Sequence, residues 1–174
     1  IEADQEYEID TLILATGFDA MTGALTSLDI VGRNGIILRD QWKQGAKSYL
    51  GLGVSNFPNL FTITGPGSPS VLSNMMPSIE QHVNWIADCI GWMIDNNKSV
   101  IESSLSAEEE WMDLVNEIAG MTIFKSTESW YNGSNIDTKA KAFLPFIGVP
   151  VYTEKLEEIT SNNYQGFIFD TSNN

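Results

Sequence analysis

Residues 10–19, with the sequence DTLILATGFD, constrain the fold of this chain more than any other segment. An apolar run that stops at Ala-Thr-Gly is typical of a buried parallel strand ending in a glycine turn, where an α/β enzyme brings its backbone close to a dinucleotide. No G-x-G-x-x-G motif stands before or after this run, so the glycine-rich turn that holds a pyrophosphate at a helix N-terminus is absent. The sequence therefore predicts the closing strand of a nucleotide-binding unit whose opening strand lies elsewhere.

The composition and charge argue against several kinds of partner and of structural feature. The 174 residues are 43% hydrophobic, enough to bury about two-thirds of the unfolded surface in one domain or in the remnant of two. A net charge of -14, with only nine Lys and Arg, disfavours binding to nucleic acid or to an anionic membrane. The single cysteine, Cys89, excludes an internal disulfide, and no apolar stretch reaches the roughly 18 residues of a spanning helix. We therefore expect a cytoplasmic protein.

Two stretches have the apolar periodicity of amphipathic helices, one near residues 77–97 and one near residues 106–119. The first begins at Pro77, a residue suited to a first helical position, and ends at an Asn-Asn pair. The second begins at a capping box, in which Ser106 and Glu109 would exchange hydrogen bonds. The apolar stripes that we expect to face the core are Ile79, Val83, Ile86, Ile90 and Met93 in the first helix, and Trp111, Leu114, Val115 and Ile118 in the second.

The remaining segments alternate short β-prone runs with turns. Residues 30–38 carry an Asn-Gly turn between two such runs and predict a hairpin, and residues 59–64 predict a second buried strand that stops at a Gly-Pro-rich loop. Residues 125–141 have no convincing period and predict an irregular loop, whereas residues 143–151 and 164–169 have the composition of strands. Together these elements predict an α/β fold.

Four segments form an ordered set: LATGFDAMTGAL at residues 14–25, GPGSP at 65–69 followed by LSNM at 72–75, SIEQHV at 78–83, and SWY at 129–131 followed by Gly133 and Asn135. Together they resemble the C-terminal part of the Baeyer-Villiger monooxygenases, which are FAD- and NADPH-dependent enzymes that insert an oxygen atom beside a ketone carbonyl. Ala-Thr-Gly alone is common in flavoproteins that bind two dinucleotides, but the joint match covers nearly the whole chain. Its order and spacing look closest to the phenylacetone and cyclohexanone monooxygenases.

The resemblance implies an incomplete remnant of a Rossmann-like flavoprotein fold that binds two dinucleotides, with two main helices followed by a C-terminal region of loop and strands. Residues 1–20 would be the end of the NADPH-binding domain. Residues 21–124 would be the C-terminal part of the FAD-binding domain, including both helices, and residues 125–174 would be the cofactor-covering loop and the C-terminal strands. The missing N-terminal part of the same polypeptide would then be the main partner of this chain.

The resemblance also assigns roles near the start of the first long helix. Asn74 and Met75 would contact FAD, since the positive end of the helix suits the electron-rich edge of a reduced flavin. Taken alone, Met75 would instead be interpreted as a core methionine. Gly17 would lie beside a dinucleotide. The pocket for the ketone would be bordered by three residues of the preceding loop, which are Ser70, Val71 and Leu72.

A second group of residues would bind NADP. By resemblance, Trp130 belongs to a segment that covers the nicotinamide half of the cofactor and excludes water, and Asn135 and Lys139 match the family's Asn and Lys there. Taken alone, Trp130 would be interpreted as an aromatic residue packed on its own domain. Ile-Asp-Thr at residues 136–138 replaces the family's apolar-Pro-Gly, which removes a rigid turn and adds a negative charge.

The chain holds no predicted catalytic residue and no predicted metal site. The family's active-site Arg, the Asp beside it and the two glycine-rich turns lie upstream of the matched region. FAD and NADPH would be bound by the full-length parent enzyme. The part of it that these 174 residues represent would be inactive alone and would bind neither cofactor. His82 is the only histidine, has no Cys or His partner for a metal, and is predicted to be structural. The acidic run at residues 108–110 is explained by the preference for negative charge at a helix N-terminus.

Two alternatives to a ketone-oxidising parent remain open. The chain could be a stand-alone, non-catalytic association module that self-associates through the apolar runs at residues 12–15 and 60–63. It could also be a fragment of a flavin-dependent N- or S-oxygenase. Bound flavin and the oxidation of a ketone panel by the full-length polypeptide would separate the three interpretations.

Overall fold

The computed structural model describes residues 6, 8–13, 19, 22–69, 73–122, 146 and 148–171. Helices and a small sheet make up this part of the chain. The helices are α1 (Gly23–Thr26), α2 (Leu38–Gln41), α3 (Met75–Asp95), α4 (Leu105–Gly120) and α5 (Val149–Ser161), with 3-10 turns at Arg33–Gly35 and Trp42–Gln44, and the strands are β1 (Val100–Ser103) and β2 (Phe167–Asp170). Among these helices, none has the length and apolarity needed to cross a membrane.

The two strands form one antiparallel pair, in which Val100 lies opposite Asp170 and Ser103 lies opposite Phe167. The predicted C-terminal strand is therefore confirmed, shifted by a few residues. Because its partner lies directly after α3, the pair closes the end of the chain onto the helical part of the fold. A two-stranded sheet is marginal by itself, so its stability depends on the helices packed against it.

The first predicted helix is confirmed as α3, which is 21 residues long. It begins at Met75, two residues before the predicted start, because the Asn74 side chain accepts a hydrogen bond from the Met76 amide and caps the helix. Pro77 is accommodated in the first turn, where amides have no partner within the helix. The predicted core stripe is confirmed at Met93 and, as a partly buried residue packed against the core, at Ile86, and it is wrong at Val83 and Ile90, which are exposed. The buried residues are Ser78, His82, Trp85, Cys89 and Met93.

The second predicted helix is confirmed as α4, but its predicted cap is wrong. Ser104, not Ser106, caps the helix, since its hydroxyl accepts a hydrogen bond from the Ala107 amide at 3.2 Å. Ser106 lies inside the first turn. The buried face of α4 includes Trp111 and Val115 as predicted, together with residues outside the predicted stripe, which are Glu108, Met112 and Ala119.

A third long helix, α5, occupies residues that were predicted to end a strand. The last residues of the predicted strand at 143–151 are Val-Pro-Val, and valine is a β-branched residue that favours strands. Pro150 lies in the first turn, where proline is favoured, and Tyr152, Leu156 and Ile159 bury one face at helical spacing. The expectation of two main helices is therefore corrected to three.

Two predicted strands are wrong where the structure describes them. Residues 10–13 form no strand, and Leu12 and Ile13 are 69% and 83% exposed, because no described strand pairs with them. Residues 59–64 also form no strand. Asn59 and Thr64 have positive φ angles of 58° and 52°, so the backbone turns at both ends, and the segment makes only a single bridge between Phe61 and Gly53.

The predicted hairpin at residues 30–38 is confirmed as a chain reversal with a single bridge. Val31 and Ile37 form one antiparallel bridge, and the Gly32 amide donates to the Ile36 carbonyl at 2.8 Å. Between them, Asn34 has a φ of 56°, the left-handed conformation that an Asn-Gly turn favours. Helix α2 begins directly afterwards, so neither arm extends into a strand.

Two hydrophobic clusters form the core of the described residues. The larger cluster joins α3, α4, α5 and β1. The smaller cluster lies around α2 and is made of Leu38, Trp42, Ala46, Val54 and Phe57. The Gly-Pro loop that leads into α3 lies against the larger cluster, because Trp111 of that cluster donates a hydrogen bond to the Gly67 carbonyl.

Candidate cofactor-facing site

The loop at residues 65–69, which leads towards the start of α3, is buried along its whole length. Four successive backbone carbonyls of this loop accept hydrogen bonds, one from a side chain within the loop and three from distant parts of the chain. The donors are the Ser68 hydroxyl to Gly65, the Ser48 hydroxyl to Pro66, the Trp111 indole to Gly67 and the Phe146 amide to Ser68. Since buried backbone groups of an irregular loop must find such partners, these bonds hold the loop in one conformation.

Trp111 is the main side chain that supports this loop. Its indole N–H lies 3.0 Å from the Gly67 carbonyl oxygen, and its ring stacks on Phe146 with centroids 5.0 Å apart and planes inclined by 23°. Gly67 has a φ of +83°, and a Cβ there would lie 2.8 Å from the indole nitrogen. Glycine is therefore required both by the backbone conformation and by the close approach of the indole.

His82 connects α3 to the residue that precedes this loop. The Thr64 amide donates to His82 Nδ1 at 2.9 Å, and because an amide can only donate, Nδ1 carries no proton. The proton of the neutral ring is therefore on Nε2, which donates to the Tyr152 hydroxyl oxygen at 2.8 Å. That hydroxyl in turn donates to the Leu50 carbonyl oxygen at 2.7 Å. This arrangement agrees with the prediction that His82 is structural.

Burial determines the protonation of these groups. His82 is fully buried, and burial lowers its pKa from 6.5 to about 4. Burial also raises the pKa of the Tyr152 hydroxyl well above its ordinary value. Both rings are therefore neutral at pH 7, which suits their hydrogen bonds. The Cys89 thiol on the same face of α3 has its pKa raised to about 12 by burial, so it remains protonated and unreactive.

The predicted FAD contacts lie at the start of α3. Met75 is the first helical residue and is partly buried, and Asn74 is exposed. The Asn74 carboxamide oxygen accepts the Met76 amide at 3.1 Å, so it already serves as the helix cap. The roles of Asn74 and Met75 towards FAD stay predictions.

The other predicted site residues lie outside the described residues, and their roles also stay predictions. They are Gly17 for the dinucleotide, Ser70, Val71 and Leu72 for the substrate pocket, and Trp130, Asn135 and Lys139 for NADP. In the sequence, Ser70 directly follows the buried loop.

Glu108, which the sequence assigned only to the acidic start of a helix, has a buried side chain beside α2. Glu108 is 1% exposed, and its two oxygens accept hydrogen bonds from the Ser55 amide at 2.8 Å and the Ser55 hydroxyl at 2.9 Å. Glu108 does lie in the first turn of α4, where the helix N-terminus favours an acid, but its burial against Ser55 adds a role that this explanation did not include. The signal was its spacing, because Glu108 precedes Trp111 by three residues and so shares the buried face of α4. Burial raises the pKa of Glu108, against the opposing effect of the Ser55 bonds.

Replacing Glu108 with alanine is expected to lower the free energy of unfolding of the chain by about 3 kcal/mol, because the Ser55 amide and hydroxyl would be left buried without partners. Glu108→Gln retains acceptor capacity and is expected to cost about 1 kcal/mol. Urea denaturation followed by circular dichroism measures both values. The matched control is Glu109→Ala, which removes an exposed neighbour. Equal effects of the Glu108→Ala and Glu109→Ala substitutions would contradict the proposed role.

Among the described residues, no group of three or more His, Cys, Asp or Glu side chains could hold a metal ion. The buried loop and the capped start of α3 both adjoin residues predicted to contact substrate or FAD.

Comparisons with known proteins agree with the resemblance seen in the sequence. No family model matches the chain. A cyclohexanone 1,2-monooxygenase from Acinetobacter sp is 40% identical over 168 residues, which are 96% of this chain and 31% of that protein. A Baeyer-Villiger monooxygenase from Pseudooceanicola batsensis is 39% identical over 171 residues, which are 98% of this chain and 31% of that protein. The chain is a homologue of one part of the Baeyer-Villiger monooxygenases.

The structural comparisons support the same relationship. The closed crystal structure of cyclohexanone monooxygenase matches with a TM-score of 0.89 and 38% identity, over 95% of this chain and 31% of that one. An oxidized steroid monooxygenase bound to NADP matches with a TM-score of 0.86 and 42% identity, over 98% and 32%. The chain therefore spans about a third of the length of these Baeyer-Villiger relatives, and its mixed helical and sheet structure matches part of a flavoprotein monooxygenase.

The homologues extend beyond ketone oxidation. A phenazine N-monooxygenase, PhzNO1 of Lysobacter antibioticus, is 40% identical over 164 residues, which are 94% of this chain and 30% of that protein. This identity equals that of the cyclohexanone monooxygenase, so the overall identity does not separate oxygen transfer to a carbonyl compound from oxygen transfer to a nitrogen atom.

Proposed function

We propose that the chain is the C-terminal part of an FAD- and NADPH-dependent monooxygenase that uses O2 to convert ketones to esters or lactones. The proposal is carried by the 40% identity to a cyclohexanone 1,2-monooxygenase across 96% of the chain. In this proposal, the rest of the polypeptide supplies the glycine-rich turns and the catalytic arginine. The 174 residues alone are then inactive and bind neither cofactor.

The FAD-facing part of the site is the start of α3. Asn74 caps the helix and Met75 opens it, so the positive end of the helix dipole lies at these two residues. This end suits the electron-rich edge of a reduced flavin. Asn74 and Met75 would hold FAD here, and the cofactor would supply hydride acceptance and the activation of O2. The Asn74 cap sets where the helix begins, and so sets the position of the Met75 backbone that would face the flavin.

The other parts of the site are assigned from the sequence. Ser70, Val71 and Leu72 border the ketone pocket. Trp130, with Asn135 and Lys139, covers the nicotinamide half of NADP and excludes water, and Gly17 lies beside the dinucleotide at the end of the NADPH-binding domain. The proposed domain limits are residues 1–20, 21–124 and 125–174, as the resemblance implies.

Flavin absorbance and ketone-dependent NADPH consumption by the full-length polypeptide test this function. We expect a yellow protein that consumes NADPH faster when a ketone is present. Trp130→Ala is expected to raise the KM for NADPH and to divert NADPH oxidation from product to hydrogen peroxide, since water would reach the flavin. Trp130→Phe, which retains an aromatic ring, is the matched control. A colourless polypeptide would refute the proposal, and unchanged NADPH affinity and coupling would refute the role of Trp130.

A second candidate function is N-oxygenation, which the phenazine N-monooxygenase homologue favours at 40% identity. The same full-length polypeptide should be assayed with a panel of cyclic and open-chain ketones and with aromatic nitrogen heterocycles. Ester or lactone products support the ketone monooxygenase. N-oxide products without ester or lactone support the alternative.

A further inference from the structure

Two residues near the buried loop have a backbone conformation that their side chains disfavour. Leu50 has a φ of 62° and Thr64 has a φ of 52°, both in the left-handed region. This region suits glycine and asparagine, but it is an outlier for a bulky residue such as leucine or a β-branched residue such as threonine. Such strained residues persist only where the surrounding structure holds them, and they cluster at sites of binding and catalysis.

Hydrogen bonds join the two strained segments directly. The Gly65 amide donates to the Gly51 carbonyl at 3.1 Å, and the Thr62 hydroxyl donates to the same carbonyl at 2.8 Å. Gly51 directly follows Leu50, and Gly65 directly follows Thr64. A change of conformation in one segment would therefore disturb the other.

The side chains of His82 and Tyr152 bind both strained residues. His82 Nδ1 accepts the amide of Thr64, and the Tyr152 hydroxyl donates to the carbonyl of Leu50. The two side chains are fully buried and are joined to each other by the bond between Nε2 and the hydroxyl oxygen. Because one comes from α3 and the other from α5, they tie the strained backbone to two long helices. Without them, a buried amide and a buried carbonyl would lose their partners.

The place of Thr64 in the chain connects this pair to the candidate site. Thr64 directly precedes the buried loop at residues 65–69, and that loop directly precedes Ser70, the first of the three residues assigned to the ketone pocket. The loop is held in one conformation by the hydrogen bonds to its carbonyls. A rotation of the backbone at Thr64 would therefore be transmitted along the loop to Ser70.

We propose that His82 and Tyr152 are positioning residues for the oxygenation of the ketone. They hold Leu50 and Thr64 in the left-handed conformation and thereby place the loop that leads into the ketone pocket. This inference rests on the proposed function. The residues that would hold FAD are positioned separately, by the Asn74 cap of α3. Loss of the pair should therefore impair the use of the ketone more than the oxidation of NADPH.

Steady-state kinetics of the full-length polypeptide test this role, with the ketone of the panel that is oxidised fastest. His82→Ala removes the acceptor of the Thr64 amide. It is expected to lower kcat/KM for the ketone roughly 10- to 100-fold, since a displacement of about 1 Å far from the reacting atoms can have an effect of this size. Flavin content and NADPH oxidation without ketone should stay unchanged. His82→Asn, which retains an acceptor for the Thr64 amide, should keep most of the kcat/KM.

A pair of matched variants separates positioning from a general loss of stability. Tyr152→Phe removes one buried hydroxyl from the pair and should lower kcat/KM for the ketone while ketone-free NADPH oxidation is retained. Tyr49→Phe removes a buried hydroxyl that donates to the Gln165 carbonyl at 3.0 Å, and it should leave both rates unchanged. Since Tyr152→Phe removes a single atom from the core, it provides the test if His82→Ala does not fold.

Thr64→Gly tests the strain itself, because glycine adopts a φ of 52° without a steric penalty. Added to His82→Ala or to Tyr152→Phe, it should recover most of the lost kcat/KM, since the start of the loop no longer needs the pair to hold it. The proposal is overturned if Thr64→Gly recovers nothing, or if the two NADPH oxidation rates, with and without ketone, fall together.

The outcomes distinguish this inference from the proposed function. A polypeptide that oxidises no ketone refutes the proposed function. A polypeptide that oxidises ketones, but whose His82→Ala and Tyr152→Phe variants keep the full kcat/KM, refutes only the positioning role. Amide hydrogen exchange tests the holding of the loop without any substrate. Exchange of the Gly65 and Ser68 amides should rise in Tyr152→Phe and not in Tyr49→Phe, and equal exchange in these two variants would overturn the proposal.

Discussion

Replacing Trp111 with alanine is expected to lower the free energy of unfolding of the chain by about 4 kcal/mol. The side chain is almost fully buried, stacks on Phe146 and donates to the Gly67 carbonyl. The substitution therefore leaves a large cavity and removes the hydrogen bond of a buried carbonyl. Urea denaturation followed by circular dichroism measures the loss without depending on Trp111 fluorescence.

Two controls separate the contributions of packing and hydrogen bonding at this position. Trp111→Phe retains an aromatic ring but loses the N–H donor, and is expected to cost about 2 kcal/mol. Leu114→Ala on the same helix removes a side chain that is exposed and is expected to cost less than about 1 kcal/mol. If Trp111→Ala cost no more than Leu114→Ala, Trp111 would not be the support of the loop at residues 65–69.

Acidification from pH 7 to pH 4 is expected to destabilise the chain by about 3 kcal/mol through His82 alone, since its pKa is lowered from 6.5 to about 4 by burial. Below pH 6.5 the unfolded chain binds a proton that the folded chain does not bind. Stability therefore falls as the pH drops from about 6.5 to about 4, and the contribution of His82 becomes constant below its folded pKa. Urea denaturation at half-unit pH steps measures this slope.

The His82→Asn variant isolates this contribution from that of the carboxylates. Its amide oxygen is placed to accept the Thr64 amide as Nδ1 does, but it does not titrate. The difference in unfolding free energy between the unsubstituted chain and the variant should change by about 3 kcal/mol between pH 7 and pH 4. If this difference stayed constant across the range, His82 would take up its proton over the same pH range in the folded and the unfolded chain. Tyr152→Phe, which removes the Nε2 partner, should destabilise the chain at every pH.

The helices show which features of the fold the sequence patterns could predict. The range of α3 was predicted well because its apolar residues recur at helical spacing and an Asn-Asn pair follows it. Its buried face was predicted only in part, because the buried row includes the polar residues Ser78 and His82, whereas apolar Val83 and Ile90 are exposed. Helix α5 was missed because Val, Thr and Tyr favour strands locally, whereas the burial of Tyr152, Leu156 and Ile159 outweighs that preference in the folded chain.

The candidate site also has features that the sequence could predict and features that it could not. The relationship to Baeyer-Villiger monooxygenases could be read from the order of short motifs, because such motifs survive in the sequence itself. The roles of Glu108 and His82 could not, because their partners are distant in the chain: Ser55 lies 53 residues from Glu108, and Tyr152 lies 70 residues from His82. A lone acid at a helix start and a lone histidine have the same local pattern whether they are exposed or buried.

Local patterns were therefore sufficient for the family, for two of the three long helices and for the last strand, since each depends on residues close together in the sequence. Only the folded chain shows which face of α3 is buried, that residues 59–64 turn instead of forming a strand, and that His82 is neutral with its proton on Nε2. These features depend on burial and on hydrogen bonds between distant segments. These contacts contribute to stability only once the distant segments have come together in the folded chain.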